Sequence, residues 1–505
     1  MFISIKSTWI AVCLFSGIFL LSCKDNKDRW FPIANDCAMV AKVDPVNLSK
    51  KIVLDKLGDF NIADFFDFSP KDTSVKKGEL STIIDDPSGV GIDLLDDIYI
   101  FKKDKLVGFI ASLKDEGDFS DHLQKSLKKE ILSYQEYRYT KVDSFIISWN
   151  REHCIFLIKE DLSSINNTDL ENILKLKREE SIFQQNNFLQ AEDESSDIFL
   201  WFSIPKLLQD HPLSSLTDGI LNKDYSSAYI SFDDGKIIVK AKDFLSPVTA
   251  QLLANPRSEI NPHFNSIKSG NSIAMAAIHL DMKKGLEFVQ SYSSKKHFEK
   301  AGLSERDLDE TFTGELLINF SDLTELKKVY SSYTYDEDFN KIEVSDTIKI
   351  IQPIYSVFIG VLDSVKSEKI LNGLYSKRLI DKQVDHYTFT LSDFPVNFYN
   401  TKEGVIISNQ NNPQEKETSL ETEIDKDLFS HSFMVYGNPS KFFPLIKEQH
   451  RTNIPLDEVQ KAIVKISKGE NNSYILNSEI YLNNTDKNSL LTLIDLFKTK
   501  QQSAL

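Results

Sequence analysis

The stretch Ala228-Tyr229-Ile230-Ser231-Phe232-Asp233-Asp234-Gly235-Lys236-Ile237-Ile238-Val239-Lys240-Ala241-Lys242-Asp243-Phe244 decides the fold class. Two runs rich in β-formers flank Asp-Gly. That dipeptide supplies the positive φ angles of a tight turn, so the two runs must be antiparallel neighbours. Working outward, the same type of signal recurs. Ile98 to Phe101 and Leu106 to Leu113 form a hairpin turning at Lys103-Asp104-Lys105. Tyr137 to Trp149 pairs with His153 to Lys159 as a second hairpin. Helices are placed between them by their caps. Asp44-Pro45 opens Val46 to Leu57, Asp115 or Asp118 opens a helix through Ile131, and Ile198 to Phe202 runs into Ser203-Ile204-Pro205, another strand followed by a proline-started helix. Phe60 to Asp86 reads as irregular, and the polar stretch Asn166 to Ser196 as surface helix at most.

The opening element of this half is Ala38 to Val43, and the same programme recurs after a polar connector marked by Asn255-Pro256 and Asn261-Pro262. Ile273 to Leu280 with Asp281 repeats the opening strand and cap. Thr313 to Phe320 and Val357 to Leu362, with Asp363 capping Ser367 to Leu374, repeat the first hairpin and helix across a charged insert, Thr324 to Lys349. His386 to Leu391 with Val396 to Ser408, turning near Lys402-Glu403-Gly404, repeats the second hairpin. Phe433 to Gly437 with Asn438-Pro439 repeats strand, proline and helix, and Val464 to Ser467 with Ile475 to Leu482 repeats the closing hairpin. The expected fold is α+β: two tandem related modules, each a mostly antiparallel sheet with helices on one face. The first module covers 31–252, a linker 253–270, and the second module 271–505.

The N-terminus sets the location. Lys6 precedes a short apolar run that ends Leu20-Leu21-Ser22-Cys23, too short to span a bilayer comfortably and shaped as a secretory signal over 1–22. Leu-Leu-Ser-Cys resembles the bacterial lipobox. The resemblance implies that Cys23 becomes the lipidated first residue, held by several acyl chains at roughly 0.8 kcal/mol per buried methylene. Residues 23–30 read as a charged tether. An acidic stretch after the cysteine is similar to an export signal of Bacteroidota-type lipoproteins, which implies an outer-membrane anchor, surface-exposed or periplasm-facing.

The strand ending Val43-Asp44-Pro45, the approach Gly91-Ile92-Asp93-Leu94 to Ile98-Tyr99-Ile100-Phe101, and the step Phe109-Ile110-Ala111-Ser112-Leu113-Lys114-Asp115 resemble an uncharacterised Bacteroidota-type lipoprotein family known only as a domain of unknown function. The resemblance implies location and architecture, and it brings no catalytic residues.

Composition narrows the function classes. With 505 residues, 41% of them hydrophobic, the chain has ample core material. Lys6 leaves with the signal, so 58 basic residues remain against 75 acidic ones, a net charge of −17. Such a polyanion is a poor partner for nucleic acid or anionic lipid. Cys37 and Cys154 are the cysteines left after Cys13 departs and Cys23 is acylated, and they read as buried thiols or as a disulfide pair.

No cofactor or metal pattern is present. The nine histidines are scattered, Gly89-Val90-Gly91 lacks the context of a phosphate loop, and His153-Cys154 are strand neighbours pointing to opposite faces. Asp85-Asp86, Asp96-Asp97 and Asp233-Asp234 sit where aspartate is favoured by turns. No catalytic residue is assigned. The candidate binding residues are Tyr330, Tyr333, Tyr335 and Phe339, aromatics within the polar insert. The expected function is non-enzymatic, a lipid-anchored envelope protein binding a protein or glycan partner. The alternative is an envelope hydrolase with its site between the modules.

Overall fold

The structure is a computed structural model that describes residues 30–51, 89–142, 145–159, 165–209, 221, 224–254, 272–292, 304–335, 338–391, 394–410, 427–428, 430–441, 458–469 and 473–503. The expected signal, most of the tether, the helix beyond residue 51, the stretch Phe60 to Asp86 and the connector prolines lie outside these residues.

Among the described residues ten strands come before the connector. In chain order the elements are β1 (Met39–Val43), α1 (Pro45–Lys51), β2 (Ile98–Lys103), β3 (Leu106–Ser112), α2 (Glu116–Leu127), β4 (Leu132–Tyr134), β5 (Tyr137–Val142), β6 (Phe145–Trp149), β7 (His153–Lys159), α3 (Asn167–Leu174), α4 (Asn186–Glu192), β8 (Ile198–Phe202), α5 (Ile204–Leu207), β9 (Ser226–Asp233), β10 (Lys236–Lys242) and α6 (Pro247–Leu252). Their pairings give the spatial order β4-β5-β6-β7-β3-β2-β1-β8-β9-β10, antiparallel throughout.

After the connector follow β11 (Ala274–His279), α7 (Met282–Tyr292), α8 (Glu305–Asp309), β12 (Phe312–Tyr335), β13 (Lys341–Val361), α9 (Ser364–Ser376), β14 (Asp381–Lys382), β15 (Tyr387–Leu391), β16 (Phe394–Asn400), β17 (Gly404–Ser408), β18 (Phe433–Gly437), β19 (Val459–Lys468), β20 (Tyr474–Leu482) and α10 (Ser489–Ser503). Here the order is β14-β15-β16-β17-β13-β12-β11-β18-β19-β20. Strand for strand it matches the first. The two runs join edge to edge where β10 pairs antiparallel with β20, Val239 opposite Ser478, which makes one 20-stranded sheet.

Local chemistry explains the helix starts. Asp44 accepts from the amide of Asn47 at 2.9 Å, and Asp281 accepts from that of Lys284 at 3.0 Å. Asp115 caps α2 through Asp118, and Asp363 caps α9 through Val365. A side-chain acceptor at each start satisfies an amide that the helix leaves unpaired.

Four expectations about boundaries and layers need correcting. Helix α2 stops at Leu127, not Ile131, because Lys128 turns left-handed at φ 50°. Tyr137 to Trp149 is two strands, β5 and β6, so the second hairpin is a meander with β7. The insert Thr324 to Lys349 does not separate β12 from β13, since both strands continue through it, paired out to Tyr335 opposite Lys341. Helices also cover both sheet faces in the first half. Phe119, Leu123 and Leu127 of α2 pack with Ile98, Ala111 and Cys154, whereas Leu170, Ile173 and Phe188 of α3 and α4, with Ile182 and Phe183 between them, pack with Tyr99, Ile110 and Ile155. Ile98 and Tyr99, like Ala111 and Ile110, are strand neighbours and so point to opposite faces. The polar stretch therefore carries a buried apolar ridge.

The cysteines stay apart and reduced. Cys37 and Cys154 are both free and buried, and burial pushes each thiol up to about 12.

Helix α10 docks onto α1 and β9. Leu490 and Leu491 pack with Leu48 of α1 and Phe232 of β9. The side chains of Asn488 and Ser489 donate to the carbonyls of Phe232 and Lys236.

Candidate functional site

The site follows from the length of β12 and β13. β11 pairs with β12 only as far as Phe320, and β17 pairs with β13 only as far as Ser356. From Asp322 opposite Ile354 to Tyr335 opposite Lys341, 14 residue pairs have no further strand alongside among the described residues. At about 3.4 Å per residue this is a free ribbon roughly 45 Å long. Its root on β13 is closed off by side chains. Asn409 Nδ2 donates to the carbonyl of Pro353 at 2.8 Å, and Tyr355 donates its amide to Asn409 Oδ1 at 3.0 Å. Pro353 has no amide for a further ladder bond. The equivalent hairpin β2–β3 closes through the short turn at Asp104.

The ribbon is wet on both sides and carries apolar groups on both. Residues paired across an antiparallel ladder share a face. One face therefore holds Val329, Tyr333 and Tyr335 with Thr347, Glu343 and Lys341, and the other holds Ser332 and Thr334 with Val344 and Ile342. Tyr333 is 57% exposed, Tyr335 64% and Phe339, in the end turn at φ 61°, 86%. The ammonium of Lys341 sits 3.6 Å from the centre of the Tyr333 ring and steadies it by a cation–π contact. Of the four aromatics expected here, Tyr333, Tyr335 and Phe339 gather at the tip. Tyr330 pairs with Asp346 on the backbone ladder. Its side chain is not among the described ones.

A charged seam at the β10–β20 junction was not read from the sequence. Glu194 accepts from Lys240 at 2.5 Å and from Lys242. Burial opposes its ionisation, yet the two ammoniums hold the carboxyl below its ordinary value. Asp427 accepts from Lys465 at 2.6 Å. Tyr481 lies between Lys236 and Lys461, whose ammoniums are 5.9 and 4.8 Å from its ring centre. The lysines of β10 and β19 alternate along their strands, but their acids come from distant segments. The seam clasps the pieces over the sheet to its centre.

Groups with catalytic potential are dispersed. His153 Nε2 is 3.0 Å from the Tyr137 hydroxyl, while Cys154 Sγ faces the Ala111 carbonyl on the other side of the sheet. Gly91, at φ 91°, turns against the start of α2, where an added Cβ would lie 2.6 Å from the Asp115 carbonyl oxygen. Asp85-Asp86 lie outside the described residues. Asp233 is 3.9 Å from Lys51, and among the described residues no group of three or more His, Cys, Asp or Glu is placed to hold a metal ion. One serine–histidine contact has an acid nearby. His431 Nδ1 is 2.6 Å from Ser467 Oγ, with Asp427 Oδ1 3.7 Å from Nε2. That carboxylate is the one paired with Lys465, and burial holds the imidazole below its ordinary value.

The fold and site define an α+β protein with one long antiparallel sheet and a projecting β-arm. The chain belongs to the family described as Domain of unknown function (DUF4836), whose model matches residues 32–295. The arm lies beyond the matched residues. Comparison with curated proteins finds no match. Among solved structures the chain is similar to crystal form I of TP0453, at 10% identity over 46% of this chain and 80% of that one with a TM-score of 0.27, and to crystal form III at 9%, 46%, 82% and 0.28. Likenesses this distant carry no argument about fold or function. No helix among the described residues is long and apolar enough to cross a membrane.

Proposed function

We propose that this chain is a lipid-anchored cell-envelope protein of binding or structural type, held at the outer membrane through acylated Cys23 and engaging a protein or glycan partner through its β-arm. The carrying observation is the arm itself. Fourteen residue pairs project past the last neighbouring strand and end in exposed Tyr333, Tyr335 and Phe339. A two-stranded ribbon is marginal in water on its own. A surface of tyrosine beside small hydroxyl residues is the composition of recognition loops. We further propose that the chain is two tandem related modules after a signal peptide. The matching strand orders and the paired caps Asp44 with Asp281 and Asp115 with Asp363 support this.

Deleting Tyr330 to Phe339 tests the arm reading. Partner capture on intact cells is lost, while the thermal midpoint of the purified soluble protein stays nearly unchanged. Capture that persists undiminished removes the arm from the binding surface.

A rival reading, an envelope hydrolase with its site inside the second half instead of between the modules as expected from the sequence, is favoured by the His431–Ser467 contact. A neutral imidazole is able to take the serine proton. Turnover of an ester, glycan or peptide that disappears in Ser467→Ala would establish it.

A further inference from the structure

We infer that the junction of β10 with β20 is a self-complementary, two-fold protein–protein interface fused into one chain. The edge of each half, with the helix that follows it, is then a docking surface whose partner is another module of the same fold. This rests on the two halves being related modules and adds what each one recognises.

The registers locate the axis. Asp115 and Asp363 cap the corresponding helices α2 and α9, so Ile110 and Phe358, the same number of residues before each cap, hold equivalent places. From Ile110 the ladders lead across the first half through Tyr99, Lys42, Phe199 and Tyr229 to Lys240. From Phe358 they lead through Leu317, Ala277, Met434 and Lys465 to Asn477. Lys240 and Asn477 are paired with each other. Equivalent residues facing one another across an antiparallel ladder define a two-fold axis, and a contact about such an axis is isologous, each side giving what the other gives.

The helices that follow the two edges show the same reciprocity. After β10, Phe244, Leu253 and Ala250 of α6 pack with Phe433, Ile466 and Tyr474 of the second half, and the Tyr474 hydroxyl donates to the Leu253 carbonyl at 2.9 Å. After β20, Leu490 and Leu491 of α10 pack with Ile198, Ile230 and Phe232 of the first half. Ile198 and Phe433 hold equivalent places, as do Ile230 and Ile466, because each is the strand neighbour of a residue in the matching rows. Strand neighbours point to opposite faces, so both helices cover the face away from those rows. A two-fold axis normal to the sheet exchanges the helices and keeps them on one face.

Charge fits the halves to each other. Two copies of β10 meeting about the same axis place Lys240 opposite Lys240 of the second copy, a like-charge pair that destabilises a ladder. In the chain the opposite residue is Asn477. Repulsion against a wrong partner confers specificity, and here it favours the chain's own second half over the first half of a neighbouring copy.

The test inserts a protease site into the connector of the full chain, between Asn261 and Pro262, and cleaves it after folding. The fragments stay together in native mass spectrometry as one first half with one second half. Leu490→Ala thins the contact made by α10, and Phe244→Ala thins the reciprocal one. Each raises the dissociation constant of the cleaved pair at least about tenfold. Leu123→Ala, in the core under α2 and away from the junction, lowers the thermal midpoint and leaves that constant unchanged. Fragments that separate or aggregate on cleavage, that pair as two first halves, or that respond to one of the reciprocal substitutions alone overturn the inference. None of these outcomes alters the matching strand orders and caps, on which the reading of two related modules stands by itself.

Discussion

The phenol oxygen of Tyr137 lies 3.0 Å from Nε2 of His153, and both residues are buried in the aromatic core beside Phe31. Burial holds the His153 pKa down to about 4, against an ordinary 6.5. Between those values the unfolded chain binds a proton at this site that the folded chain refuses, so stability falls as pH drops through that window and the loss is complete below about 4. The full effect is about 3 kcal/mol, with about 2 kcal/mol of it reached by pH 5. Urea unfolding at pH 7.5 and pH 5 measures it. His153→Gln keeps a polar group and removes this part of the slope; His431, also lowered by burial, adds a smaller slope of the same sign in both proteins. An unchanged slope in the variant contradicts the assignment.

Gly314 stands at φ 85° in the bulge of β12, and a Cβ there would lie 2.0 Å from the carbonyl oxygen of Leu280. Gly314→Ala combines left-handed strain with a backbone clash and costs more than about 2 kcal/mol. Gly373, in α9, has nothing within 4 Å of its would-be Cβ. Gly373→Ala stabilises by about 0.5–1 kcal/mol through helix propensity. Denaturant midpoints of the two variants should move in opposite directions.

Leu490 is 1% exposed and packs against Leu48 of α1 and Phe232 of β9. Leu490→Ala costs about 2–5 kcal/mol through the cavity it leaves. The Leu48→Ala, Leu490→Ala double variant loses less than the sum of the singles, because both line one cluster. Additive losses would mean that α10 does not rest on α1.

The anchor is tested at Cys23. Cys23→Ala releases the protein into the soluble envelope fraction or leaves the signal uncleaved. A mature, membrane-bound variant would falsify lipidation. Separately, Cys37 and Cys154 react with a thiol reagent only as the chain unfolds, since burial keeps both protonated and out of reach.

Some elements were legible because their cause is local. Asp233-Asp234-Gly235 specifies a turn within a few residues, and Gly235 indeed stands at φ 64°. The capping aspartates act over one helical turn. Elements without such a marker were misread. The sequence has no glycine between β5 and β6, so Tyr137 to Trp149 passed for one strand. The arm has both faces in water, so its strands lack the apolar alternation that marks a half-buried sheet, and it passed for an insert. The aromatics of the arm were visible as unexpected residues in a polar stretch, while the lysine seam was not, because Glu194 meets Lys240 and Lys242 only after folding.

By itself the sequence determined the α+β class, the antiparallel hairpins and the helix starts, all of which depend on turn chemistry and periodicity over a few residues. The tertiary structure decided the rest: the edge-to-edge union of β10 with β20, the helices on both faces of the first half, the docking of α10 onto α1 and β9, and the projection of the arm beyond its neighbours. These depend on which surfaces meet across tens to hundreds of residues of chain and on where a neighbouring strand ends, and no short window of sequence contains either.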